Sequence, residues 1–205
     1  MKQKLNKLEK YWVMYDVGNS AFALLVSTII PIYFKNMATQ NGISAADSTA
    51  YLSYAISIST LIVAILGPVL GTVADGKNRK KPLFTLFMMV GVIGCAALAL
   101  PKSAMLFLVV FVITKVGFSG SLIFYDSMLV DVTTDERMDD VSSQGYAWGY
   151  IGSCVPFIVC LVLVLGSGKI GISMEMAMGA AFLIIAVWWL VMSLPLLKGY
   201  EQKFY

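Results

Sequence analysis

The chain of 205 residues has no histidine. This absence argues against zinc proteases, histidine-based acid–base catalysis and serine–histidine triads. A Gly-x-Ser-x-Gly nucleophile elbow is also missing from the sequence. These absences count against a membrane-embedded enzyme, so we predict no enzymatic activity, no bound cofactor and no metal site.

Charged residues are scarce as well. They make up 13% of the chain and hydrophobic residues make up 59%, whereas an average soluble domain has about 25% and 45–50%. A soluble fold of this composition would expose apolar surface that it could not cover. We therefore expect a lipid bilayer as the surroundings and no nucleic-acid partner. The three cysteines lie within apolar runs, which favours buried small side chains over a disulfide framework.

Six apolar runs are long enough to cross the ~30 Å hydrocarbon core as helices. Helix is the predicted structure because an open sheet would leave backbone groups unpaired in lipid. The first run contains Asp16 and Asn19 and is too long for the core of a signal peptide, so we interpret it as a retained helix. The runs are Tyr11–Phe34, Ala50–Val73, Pro82–Leu100, Ala104–Val130, Ser143–Leu165 and Met174–Leu197.

The basic residues predict the orientation of these helices. Of the 15 Lys and Arg residues, eleven lie on the side of the termini and of the second and fourth loops, and three lie on the other side. The positive-inside rule then places both termini in the cytoplasm, in what we expect to be a bacterial cytoplasmic membrane. The eleven are Lys2, Lys4, Lys7, Lys10, Lys77, Arg79, Lys80, Lys81, Arg137, Lys198 and Lys203; the three are Lys35, Lys102 and Lys169.

The polar content of the six segments repeats after three. Segments 1 and 4 carry charged residues, segments 2 and 5 carry small-residue motifs, and segments 3 and 6 are almost uniformly apolar. Three helices per unit place the second unit upside down relative to the first, which is typical of secondary transporters. The sequence thus predicts a single domain of two inverted repeats, residues 1–101 and 102–205. Candidate packing glycines are Gly67, Gly145, Gly149 and Gly152.

The loop between segments 2 and 3 carries the most recognisable motif, Gly71-x-x-x-Asp75-x-x-x-Arg79-Lys80. It resembles the gating motif of the major facilitator superfamily, in which Gly71 would allow close helix approach. The family prefers glycine where this chain has Asn78, but asparagine tolerates a left-handed backbone. We expect Asp131 to pair with Arg79 across the cytoplasmic face. The alternative is a positive-inside loop without a gating role.

A second resemblance covers the whole chain. Tyr15-Asp16-x-x-Asn19-Ser20 and Pro31-Ile32-Tyr33-Phe34, together with Gly145-Tyr-Ala-Trp-Gly149-Tyr-Ile-Gly152, resemble the vacuolar-effluxer-like branch of that superfamily. That branch includes an autophagy-related vacuolar amino-acid exporter. The resemblance implies half of a major facilitator fold, moving a small solute, amino acids among the candidates, by alternating access. A full member has twelve helices, so we expect a second copy or a separate C-terminal half. The chain stops where a central linker would begin, which favours a fragment.

Ionisable groups inside a bilayer are costly and usually face a cavity or a partner. Lys115 lies near the middle of segment 4, and Asp126 lies about 16 Å further along the same face. Asp16 lies near the start of segment 1 and Asp126 near the end of segment 4, so both lie toward the same side of the membrane. We predict that Lys115 contacts solute or a counter-charge and that the two carboxylates gate or carry protons. Asn19 and Tyr125 complete the candidate site.

Two alternatives stay open. The ionisable groups could be snorkelling, capping or structural pairs in a receptor or assembly subunit that does not transport. The acidic stretch 131–140 lacks the spacing of a calcium loop and its central glycine. We expect Asp139 or Asp140 to cap the fifth helix instead.

Overall fold

The structure is a computed structural model in which residues 4–204 are described; Lys2, one of the basic residues counted above, lies outside them. The described chain is all-helical, with six helices long and apolar enough to cross a membrane. The predicted all-α membrane domain is therefore confirmed. The helices are α1 Lys7–Gln40, α2 Ala45–Ala74, α3 Lys80–Ala97, α4 Ala104–Ser127, α5 Leu129–Val132, α6 Asp135–Ile170 and α7 Met174–Gly199.

Four helices, α1, α2, α3 and α6, begin before the predicted apolar runs, and a polar residue occupies the N-cap position of each. At α1, the Asn6 side chain accepts from the Glu9 N–H at 2.9 Å and the Glu9 carboxylate accepts from the Asn6 N–H at 2.7 Å, a capping box. At α6, Thr134 occupies the N-cap position. The expectation that Asp139 or Asp140 caps this helix is wrong, since the acidic residues lie within its first turns, where the helix dipole also favours them.

The first helix of each predicted repeat packs mainly against the other repeat. Helix α1 lies against α6 and α7, and α4 lies against α3 and α2. This pairing is reciprocal. If α1, α2 and α3 are exchanged in order for α4, α6 and α7, the same four pairs of helices result. Hydrogen bonds among the termini and the loops on their side gather them at one end of the bundle, which we call the terminal end. The cytoplasmic location of that end stays a prediction.

Helices α3 and α4 cross at glycines that the sequence reasoning missed. A Cβ at Gly117 would clash with the backbone of Gly91, and a Cβ at Gly94 would clash with Thr114. Small residues let two membrane helices approach at their backbones. The spacing of glycines 91 and 94 against 117 and 120 was the signal available in the sequence.

The glycines predicted for packing behave differently from one another. A Cβ at Gly145 would lie 2.7 Å from the Trp12 ring, and one at Gly152 would lie 2.6 Å from the Val17 side chain, so α6 lies close against α1. A Cβ at Gly67 would meet only the end of the Ile123 side chain, at 3.3 Å. At Gly71 a Cβ would meet no described atom within 4 Å. The close helix approach expected there is absent from the described chain.

Replacing Gly117 by alanine should lower stability, because the new methyl group overlaps the backbone of α3. We expect a loss of about 1–3 kcal/mol, the usual cost of overpacking a tight interior. Gly71→Ala is the matched control and should be neutral or stabilising by about 0.5–1 kcal/mol, since alanine favours the helix. Thermal unfolding of the protein in detergent measures both, and equal unfolding temperatures for the two variants would contradict the close crossing.

Candidate functional site

A cavity of about 620 Å³ lies between α1, α4 and α6. Its wall combines carboxylates, hydroxyls and aromatic rings. The residues that line it are Trp12, Asp16, Asn19, Ser20, Ala23, Leu24, Ser27, Phe118, Leu122, Tyr125, Asp126, Leu129, Ser142, Tyr146 and Tyr150. Four of the five residues predicted for the solute or coupling site, Asp16, Asn19, Tyr125 and Asp126, are therefore brought together.

Asp16 is held on the α1 wall of the cavity and is only 9% exposed. Its Oδ1 accepts a long hydrogen bond of 3.4 Å from the Asn19 amide, which also donates to the Tyr15 carbonyl at 3.1 Å. A Cβ at Gly149 of α6 would clash with the Asp16 carboxylate. The missing side chain at Gly149 thus leaves room for this carboxylate between two helices.

Aromatic contacts fix the boundary between α1 and α4. The rings of Trp12 and Tyr125 are stacked with centroids 4.3 Å apart, and the Trp12 indole N–H donates to the Tyr125 carbonyl at 3.1 Å. Beneath them, the hydroxyls of Tyr15 and Ser121 share a hydrogen bond of 2.7 Å. The Tyr125 hydroxyl is buried and has no hydrogen-bond partner among the described residues.

Lys115, the fifth predicted residue, does not line the cavity. Its ammonium group lies 4.7 Å from the centroid of the Phe118 ring, and that ring does line the cavity. No acidic side chain of residues 4–204 lies within 4.0 Å of the ammonium group. The lysine thus lies beside an aromatic residue of the cavity wall and is not itself part of that wall.

Several cavity residues were missed by the sequence reasoning. One face of α1 carries Trp12, Ser20 and Ser27 together with Asp16 and Asn19. On α6, Tyr146 and Tyr150 are four residues apart. The helical spacing of polar and aromatic residues around Asp16 was a usable signal. It is weak because aromatic side chains in membrane helices are more often packing residues or interface anchors.

At the terminal end, one residue of the predicted gating motif contacts Asp131, which is fully buried. The Lys80 ammonium donates to Oδ2 at 3.0 Å, so Lys80 is the ionic partner and the expected pairing with Arg79 is wrong. Arg79 is exposed, as is Asp75. The reason is the turn: Asn78 adopts a left-handed conformation with φ of 59°, as expected, and α3 then begins at Lys80.

The segment after α7 completes the shell of donors around Asp131. The Tyr200 hydroxyl donates to Oδ2 at 2.5 Å, and the backbone N–H groups of Lys203 and Phe204 donate to Oδ1 at 2.8 Å each. Burial raises the pKa of the Asp131 carboxyl, but the donors from Tyr200, the two backbone N–H groups and Lys80 outweigh it, and the pKa lies below its ordinary value. The carboxylate therefore stabilises the folded end of the bundle in its ionised form.

Asp131→Ala should destabilise the protein strongly, because it leaves the buried Lys80 charge without its partner. Removal of one member of a buried pair typically costs about 3–5 kcal/mol. Asp75→Ala removes an exposed carboxylate from the same loop region and should change stability little. Thermal unfolding in detergent compares the two, and a similar small shift for both would contradict the assigned ion pair.

Acid should remove the contribution of Asp131. Because its folded-state pKa is depressed, the stabilisation is present above the ordinary pKa of 3.8 and is lost as the pH falls through the folded-state value. We expect the unfolding temperature of the protein to fall more between about pH 5 and pH 2 than that of Asp131→Asn. Parallel curves for the two proteins would show that this carboxylate is not the titrating group.

The side chains of the cavity wall are of types that bind ligands reversibly. No group of three or more Cys, Asp or Glu side chains within residues 4–204 could hold a metal ion. What the wall offers is negative charge, hydroxyl groups and aromatic faces at membrane depth, where ionisable groups usually mark a path for solutes or protons.

Comparison with known proteins identifies the family. The sequence model described as vacuole effluxer Atg22 like matches residues 45–135 and 130–202. The chain is also 42% identical over 210 residues to an uncharacterized MFS-type transporter, YxiO, of Bacillus subtilis (strain 168), and the match covers 100% of this chain and 49% of that transporter. No solved structure matches significantly. The chain spans about half the length of this relative, and it belongs to the vacuole effluxer Atg22-like family.

Proposed function

We propose that the chain works as one half of a secondary active transporter that moves a small solute by alternating access. The observation that carries the proposal is the cavity between α1, α4 and α6, whose wall holds two carboxylates, the buried Asp16 and the exposed Asp126. Family membership and the resemblance to an MFS-type transporter support it. Amino acids are the solute class that the family resemblance suggests.

Asp16 and Asp126 are the proposed proton carriers. Neither forms an ion pair with a described residue, although both line the cavity. In a receptor or assembly subunit, by contrast, the charges would be structural pairs, as Lys80 and Asp131 are at the terminal end. Unpaired carboxylates beside a cavity favour transport because they are free to exchange a proton or a cation with it.

A second copy of the chain, or a separate C-terminal half, is proposed to close the cavity. The matched transporter is about twice as long as this chain. The two halves of such carriers are related by an axis along the membrane normal, so two chains with the same orientation could pair. Lys115 would then meet its counter-charge in a carboxylate of the other half, since no described residue supplies one.

The two inverted repeats, 1–101 and 102–205, belong to the same proposal. Their support is the reciprocal packing of α1 on α6 and α7 and of α4 on α3 and α2. In alternating access, one group of helices rocks against another around a fixed site. The cavity lies where helices of both repeats meet, which is the position that this motion requires.

Transport is tested with the full chain in liposomes. An imposed proton gradient should drive uptake of radiolabelled solute from a mixture of amino acids and organic amines. We expect Asp16→Asn and Asp126→Asn each to reduce the initial rate about tenfold or more, the effect of losing about 1.4 kcal/mol or more of stabilisation in the rate-limiting step. Asp47→Asn, at an exposed carboxylate near the start of α2, is the matched control and should keep the rate.

The particle mass in lipid nanodiscs accompanies this assay. A dimer that takes up solute supports a two-copy carrier. Uptake that is unchanged in both cavity variants would contradict the proposed role of the carboxylates. A monomer that is inert toward every solute would contradict transport by this chain alone and point to the separate-half arrangement.

A further inference from the structure

We propose that the cavity is selective for an organic cation, a protonated primary amine on a flat apolar group, and that it disfavours the amino acid with the same side chain. This inference rests on the proposed function, because it names the solute class of the same cavity. It also departs from the amino-acid class that the family resemblance suggests.

The negative charge of the cavity wall favours a cationic ligand. Two carboxylates, Asp16 and Asp126, line the cavity, and no Lys or Arg among the described residues does. An ammonium group that leaves water needs such partners to offset its desolvation. The carboxylate of an amino acid would instead be buried beside two like charges without a cation, which is an effective way to reject a ligand. Lys115 is not part of this wall, and its ammonium group lies 4.7 Å from the centroid of the Phe118 ring.

The aromatic rings of the cavity wall also favour a cation with a flat apolar group. Five aromatic residues line the cavity, and a cation within about 6 Å of such a ring is attracted by its quadrupole. Their apolar faces also offer a surface for a flat ligand group. The five are Trp12, Phe118, Tyr125, Tyr146 and Tyr150.

The Tyr125 hydroxyl is an independent observation that points to a ligand. Tyr125 is 3% exposed, lines the cavity and has an oxygen without a hydrogen-bond partner within residues 4–204. Buried polar groups in native proteins are nearly always paired, so an orphan at a cavity calls for a partner. A ligand ammonium group has three N–H donors. They suit this oxygen and the two carboxylates, of which Asp16 receives only one long hydrogen bond of 3.4 Å.

The size of the cavity fits this class. Small-molecule sites typically measure about 300–1,000 Å³, and this cavity measures about 620 Å³. A single-ring amine fits with room for water at the hydroxyls of Ser20, Ser27 and Ser142. The structure therefore assigns the ammonium group to the carboxylates and the ring to the aromatic wall.

Three probes that share one ring separate the contributions. Tyramine carries the ammonium group alone, tyrosine adds a carboxylate, and 4-ethylphenol lacks both charges. Equilibrium binding of radiolabelled tyramine to the full chain in nanodiscs, with the other two as competitors at constant ionic strength, ranks the affinities. We expect tyramine to bind about tenfold or more tightly than either, since one charge-assisted hydrogen bond corresponds to at least that factor.

Variants locate the binding. Asp16→Asn, Asp126→Asn and Tyr125→Phe keep the side-chain shapes and should each weaken tyramine binding by about three- to tenfold. Asp47→Asn, outside the cavity, should leave the affinity unchanged. The helix content of every variant, measured by circular dichroism, separates lost binding from lost folding.

The outcomes distinguish this inference from the proposed function. Equal affinities for tyramine and 4-ethylphenol, or tighter binding of tyrosine, would overturn the cation selectivity even if the chain transports amino acids. Tyramine binding that the cavity substitutions leave unchanged would overturn the site. Selective tyramine binding that depends on Asp16 and Asp126 supports the inference even where the liposomes show no uptake.

Discussion

The close approach of α6 to α1 is the constraint on which the cavity depends. Glycines 145, 149 and 152 present no side chain to α1, so Trp12, Asp16 and Val17 fit against the backbone of α6. In lipid, helices gain little from hydrophobic burial, and such close contacts supply much of the association energy. Here the same contact also gives Asp16 its place between helices. Packing and the candidate site are therefore one feature of the sequence.

Two kinds of carboxylate show how the surroundings decide the role of a charge. Asp131 is enclosed by Lys80, Tyr200 and two backbone N–H groups, which satisfy both of its oxygens. Asp16 and Asp126 have no cationic partner in the described chain and line a cavity instead. The first arrangement stabilises one end of the bundle. The second arrangement leaves carboxylate oxygens that can still bind a solute or a proton.

The six membrane-spanning helices of the described chain and the carboxylates of the candidate site could be predicted from the sequence because lipid allows only a few solutions. Apolar runs must be helices, and rare charges such as Asp16 and Asp126 must face a cavity or a partner. The partner of Asp131 could not be predicted. It depends on the left-handed turn at Asn78, which decides whether Arg79 or Lys80 points inward. The contact of the Lys115 ammonium group with the Phe118 ring also depends on a side-chain direction that spacing alone leaves open.

Cysteine accessibility tests whether a water-accessible, negatively charged cavity lies inside the bundle. In a protein whose three cysteines are replaced, Ser20→Cys places a thiol on the cavity wall, and Val155→Cys places one on the exposed apolar face of α6. We expect the thiol at position 20 to react with a cationic methanethiosulfonate faster than with an anionic one, while the thiol at position 155 stays unreactive in the bilayer. Equal rates for the two reagents at position 20, or no reaction there, would show that the cavity is not a charged, water-accessible site.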